Sequence, residues 1–108
     1  MKTYTGTRTD EGCEVTVNGK PLKPRCDIWN HSPTGFEWGY GGSGPAQLAL
    51  AILADHFANE PAGDTSASNL HQPFKRAVVA ALDKDGWTLT SEQIDRALAV
   101  IAAERKLI

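Results

Sequence analysis

Several things are scarce in this chain, and each scarcity excludes something. Only two of its 108 residues are cysteines, Cys13 and Cys26, spaced thirteen apart with no C-x-x-C pair. That spacing makes poor metal ligands. Paired, the two would close a loop worth about 3 kcal/mol, but nothing else suggests an oxidising compartment, so both read as reduced, partly buried thiols. The longest apolar run, Leu48–Ala54, has seven residues, far short of the roughly 20 that a spanning helix needs. Met1 to Asp10 holds no apolar stretch and no small-residue cleavage site, so the expectation is a cytoplasmic protein without a secretory signal. Charge of one sign is missing as well. Eleven bases face thirteen acids, for a net charge of −2, which argues against a general polyanion binder.

What is present suits one domain spanning residues 1–108. A chain of this length buries roughly 65% of the surface its unfolded form exposes, so neither a metal nor a disulfide is needed for folding. The first forty residues read as strands. Lys2–Thr9 is rich in Thr and Tyr, and Cys13–Val17 alternates apolar with polar, which is the period of a half-buried strand. Asn18-Gly19 follows as a type I′ hairpin signal. The return strand carries Pro21 and Pro24, which cannot donate ladder bonds and so place it, short, at a sheet edge. Arg25–Asn30 and Phe36–Tyr40 form a second expected pair, with Phe36, Trp38 and Tyr40 on one face and Trp38 in the core.

After Tyr40 the period changes. Gly41 to Gly44 form a turn, with Ser43 or Gly44 as the expected N-cap and Pro45 in the first helical turn, where its missing N–H has no intrahelical use. From Ala46 to Ala58 apolar residues surround the helix, which predicts burial on nearly every face. Asn59–Asn69 reads as a polar loop. A second helix is expected from about His71–Phe74, with Phe74, Ala77, Val78, Ala81 and Leu82 on its buried face and Asp85-Gly86 as its stop. Thr90-Ser91-Glu92-Gln93 is a capping box for a third helix, with Ile94, Ala97, Leu98 and Ile101 inward. Strands first and helices afterwards predict an α+β fold: an antiparallel β-meander of four or five short strands (1–40) packed on three helices (45–108), the first of them the core helix.

Few constellations could carry chemistry. Gly39, Gly41 and Gly44 satisfy G-x-G-x-x-G between a strand and a helix, so Gly39, Gly41, Gly42, Ser43 and Gly44 are the candidate ligand-binding residues for a nucleotide or other anion. Two things are missing: a second parallel strand ending in an acidic residue about twenty positions on, and a Walker lysine. Ser43 fails the nucleophile elbow because Pro45 stands where glycine should. Asp83-Lys84-Asp85-Gly86 with Glu92 mimics part of a calcium loop, yet position one would be Ala81. His31, His56 and His71 have no ligand spacing, so only a tertiary coincidence would make them a site. No catalytic residue, metal ligand or cofactor is therefore assigned.

The block from His31 to Ala51, including Phe36-Glu37-Trp38-Gly39-Tyr40-Gly41-Gly42-Ser43-Gly44-Pro45-Ala46-Gln47-Leu48-Ala49-Leu50-Ala51, resembles a family of short prokaryotic and phage proteins classed only as a domain of unknown function. Tyr4-x-Gly6, Phe74 and Trp87-x-Leu89-Thr90 extend the resemblance along nearly the whole chain. It brings no activity or site residues. It implies an accessory protein of phages, plasmids or other mobile elements, and by analogy a blocker of a host machine such as a CRISPR-type immune complex.

The leading expectation is a non-enzymatic protein binder that uses Trp29 and His31, or Glu60 and Asp64. Pro45–Leu70 holds Asp55, Glu60 and Asp64 and no base, an acidic stretch suited to a basic partner such as a nucleic-acid-binding host complex. The alternatives are the small-ligand site at the glycines and a weak nucleic-acid binder using Lys20, Lys23 and Arg25 with Trp29.

Overall fold

The computed structural model describes residues 2–32 and 35–106; Pro33 and Thr34, between the segments Arg25–Asn30 and Phe36–Tyr40 that were expected to pair, lie outside that range. Strands β1 (Thr3–Thr9), β2 (Gly12–Val17) and β3 (Lys20–Pro21) run as an antiparallel meander. Asn18 (φ 50°) and Gly19 (φ 83°) both take positive φ, as the type I′ turn requires. β3 is two residues long and lies at the sheet edge, as Pro21 within it and Pro24 beyond it imply.

Helix α1 (Ser43–His56) is buried continuously from Gly44 to Ala54. Its flanks are α2 (Gly63–Ala77), followed by a 3-10 turn at Val79–Ala81, and the sheet. Strand β4 (Gly86–Thr90) and helix α3 (Ser91–Lys106) complete the chain. The sheet order is β3-β2-β1-β4, and the fold is α+β as expected.

The fourth strand is not where the sequence placed it. Arg25–Asn30 and Phe36–Tyr40 form no strand. Arg25 has φ 57° and accepts from the Ile28 N–H, which closes a turn where an extended run was expected. The free edge of β1 is taken instead by β4, in register Tyr4↔Leu89 and Gly6↔Trp87. Trp87 and Leu89 point inward and Thr88 outward, the alternation of a half-buried strand. Trp87 lies so close over Gly6 that a Cβ there would fall 2.3 Å from the indole. Trp38 is fully buried as expected, edge-on to Trp87 at 5.6 Å. Tyr40 is 49% exposed, because Gly39 (φ 81°) turns the chain and breaks the expected shared face.

The expected polar loop at Asn59–Asn69 is mostly helix. Ala67, His71 and Phe74 are buried and Leu70 half-buried, and positions 67, 70, 71 and 74 share one helical face. Val78 then leaves the α region, so Ala77 and Ala81 are exposed rather than core. Pro73 inside α2 deprives the Asn69 carbonyl of its helical donor, and Arg105 reaches that oxygen at 3.4 Å. The capping box forms as read: Gln93 Oε1 accepts from the Thr90 N–H at 2.9 Å, and Thr90 Oγ1 from the Gln93 N–H at 3.3 Å. Ile94 and Ile101 are buried, with Ala97 and Leu98 packed against the core.

Candidate functional site

The Gly-rich turn enters α1 with Gly42, not Ser43 or Gly44, as N-cap, and no side chain caps it. Gly44 is buried because a Cβ there would stand 2.7 Å from Glu37 Cβ. Ser43 and Gly44 line a cleft of about 350 Å³ together with Cys13, Glu37 and Tyr40. Glu37 dominates its electrostatics. Arg8 grips the Glu37 carboxylate with both nitrogens at 2.9 and 3.0 Å and stacks over Trp38. These bonds pull the Glu37 carboxyl down to about 2. Burial and then Glu37 push the Cys13 thiol up, so it is a poor nucleophile near neutrality. A carboxylate beside the glycines opposes an incoming anion.

Glu37 therefore makes the fold acid-sensitive in a defined window. Its depressed carboxyl contributes stability above the ordinary carboxylate range, and this is lost as the pH falls from about 4.5 toward about 2. The pair is a third exposed, so solvent screening keeps the effect modest. Urea unfolding should place Glu37→Gln below the wild type at neutral pH, with the gap closing as pH approaches 2.

A second cluster forms on the segment before the glycines. Trp29, 54% exposed, stacks on His31 with centroids 5.1 Å apart and planes within 8°. His31 meets His71 of α2, Nε2 to Nε2, at 2.9 Å. His71, only 2% exposed, directs Nδ1 at the Ser68 carbonyl at 2.6 Å. A carbonyl only accepts, so Nδ1 carries the proton and Nε2 presents a lone pair. Burial first, then the electrostatic influence of His71 and of Lys75, holds His31 below the usual imidazole range.

The irregular backbone that carries Trp29 needs an anchor, and Gln47 of α1 supplies it. Its side chain is fully buried. Its Oε1 accepts from the N–H groups of His31 (2.7 Å) and Ser32 (3.2 Å), and its Nε2 donates to the Pro24 carbonyl (2.6 Å). A polar residue inside an apolar helix is the signal that could have exposed this clamp. The pairing of His31 with His71 had no local signal, since forty residues separate them.

The acidic stretch is not a bare acidic surface. Asp55 accepts from Lys2 Nζ (3.1 Å) and the Tyr4 hydroxyl (2.6 Å), and burial followed by this carboxylate raises the Tyr4 phenol well above its ordinary range. Asp64 pairs with Arg25 at 2.9 Å, and Arg25 also holds Asp27. Bases remote in sequence thus offset two of the three acids. Glu60 is exposed, beside Asp64 in a cleft of about 230 Å³. Arg25, spent on two aspartates, leaves Lys20 and Lys23 as the cations on the rim of a further groove of about 330 Å³.

His56 pairs with Asp95 at 2.8 Å and His31 with His71, so neither reaches Ser43 as a base. Cys13 and Cys26 are free, half-buried thiols. No three His, Cys, Asp or Glu side chains converge among the described residues, and no helix among them is long and apolar enough to cross a membrane. Asp83 Oδ1 accepts from the Asp85 N–H, which is turn chemistry.

The molecule is thus a small α+β domain with an exposed aromatic–imidazole cluster clamped to a buried helix. It belongs to the Family of unknown function (DUF6166), whose model matches residues 4–100. Comparisons with curated proteins and with solved structures returned no match.

Proposed function

We propose that this chain is a non-enzymatic protein-binding module whose contact surface centres on Trp29 and His31. One observation carries the reading: a large aromatic is held exposed yet rigid, stacked on His31 over a backbone that Gln47 fixes. An anchor ordered before binding gives up little side-chain freedom on contact, and tryptophan is prominent among residues that concentrate interface energy. The raised Cys13 thiol, a poor nucleophile near neutrality, fits a role without catalysis. Asp27, close in sequence to Trp29, and Asp64 both pair with Arg25, and a basic partner surface would compete with Arg25 for these carboxylates. The family resemblance suggests the finer form of this reading: a phage or mobile-element accessory protein acting in the host cytoplasm by occluding a defence complex of CRISPR type.

The test is capture from host lysate, with and without defence complexes expressed, by wild type and by Trp29→Ala. The expected result is a stoichiometric partner held by the wild type and lost from Trp29→Ala of unchanged circular dichroism. A partner retained by the variant overturns the surface; no stoichiometric partner under either condition overturns the function.

A further inference from the structure

The Trp29 surface has a second property that does not depend on any protein partner. We propose that His31 and His71 form a two-imidazole site for a divalent late transition-metal ion such as copper or zinc. Their Nε2 atoms converge to 2.9 Å. Metal–imidazole bonds of about 2.0–2.1 Å set two nitrogens of a tetrahedral sphere about 3.3 Å apart, so an opening of a few tenths of an ångström admits the ion.

The contacts that orient the two rings are already in place. The Ser68 carbonyl takes the Nδ1–H of His71 at 2.6 Å, the arrangement that orients metal-bound histidines and keeps the other lone pair available. The Gln47 clamp fixes the backbone of His31, and Trp29 stacks on its outer face. His31 supplies the second lone pair by carrying its proton on Nδ1, so metal replaces the one proton now shared between the rings. Among the described residues no third His, Cys, Asp or Glu joins them, which leaves the remaining positions to water on the half-exposed His31 side.

Two neutral nitrogens without a carboxylate do not suit magnesium or calcium, which seek oxygen. They suit copper and zinc, for which imidazole is an ordinary ligand. Lys75 lies near enough to act on His31 electrostatically, and its charge lowers the affinity without removing the donors.

Titration of the metal-free full chain with copper(II) and with zinc(II) at neutral pH tests the site. Saturable binding by calorimetry is expected, reversed by EDTA, with copper also quenching Trp29 fluorescence. His31→Phe keeps an aromatic ring against Trp29 but removes the ligand, and should weaken binding roughly tenfold or more. His71→Asn should do the same, provided its circular dichroism is native. His56→Ala should bind as the wild type does. Absence of saturable binding, or binding undiminished in His31→Phe, overturns the proposal. Loss of partner capture in Trp29→Ala bears only on the protein-binding function, so the two readings fail separately.

Discussion

Replacing Gly63 by alanine is expected to lower the melting temperature by roughly 10–20 °C, from a stability loss of about 3 kcal/mol. Gly63 opens α2 where the chain returns from α1, and it is buried. A Cβ at this position would stand 2.2 Å from the carbonyl oxygen of Phe57, the C-cap of α1, and 3.0 Å from its carbon. The obstacle is backbone, so no side-chain rotation relieves it. The methyl fits only if the two helices separate, and those helices share the centre of the core. Gly41→Ala is the matched control: no heavy atom lies within 4 Å of its Cβ position and its φ is not positive. Thermal unfolding of both variants decides the matter, and a Gly63→Ala protein as stable as Gly41→Ala would show that this helix junction is not close-packed.

Gln47→Leu should be nearly as costly, by about 2–4 kcal/mol, and for a different reason. Leucine suits the surrounding helix and fills most of the same volume. What it removes is one acceptor and one donor that together serve His31, Ser32 and Pro24. Each group left unpaired away from water costs about 1–3 kcal/mol; Pro24 is exposed and His31 and Ser32 are half-buried, so water recovers part of the loss. The distinguishing result is local. Amide exchange should accelerate at His31 and Ser32 far more than in α3, and the Trp29 emission should shift toward that of a freely hydrated indole. A uniform acceleration throughout the chain would mean that Gln47 serves the core alone.

The features legible in the sequence are those set by neighbouring residues. Asn18-Gly19 fixes a hairpin, the apolar sweep from Ala46 marks a buried helix, and Thr90 with Gln93 opens α3; each depends on chemistry within a few positions. β4 was written in the sequence too, as Trp87-Thr88-Leu89-Thr90, but its pairing joins residues more than eighty apart and no local signal names β1 as its neighbour. The start of α2 was hidden by composition. Gly63, two serines, Asn69 and Pro73 favour loops, and the face built from Ala67, Leu70, His71 and Phe74 overrides them through burial. The same distance effect governs the site. Trp29 was recognisable as an exposed aromatic, while His71, the Gln47 clamp and the ion pairs of Asp55 and Asp64 exist only once remote segments meet.

The reciprocal bonds of Thr90 and Gln93 also govern how one molecule meets another. β4 is the outermost strand on its side of the sheet. The Ser91 N–H bond to the Lys2 carbonyl sets the alternation of an antiparallel ladder, so the backbone groups of Gly86, Thr88 and Thr90 point away from β1. The Gly86 N–H is taken by the Asp83 carbonyl and the Thr90 N–H by Gln93. Thr88 alone remains as an outward donor that neither bond consumes. A stray strand seeking to extend this charge-free, proline-free border would find too few hydrogens to hold it. One glutamine side chain thus serves both helix initiation and, together with the Asp83 carbonyl, resistance to edge-to-edge polymerisation.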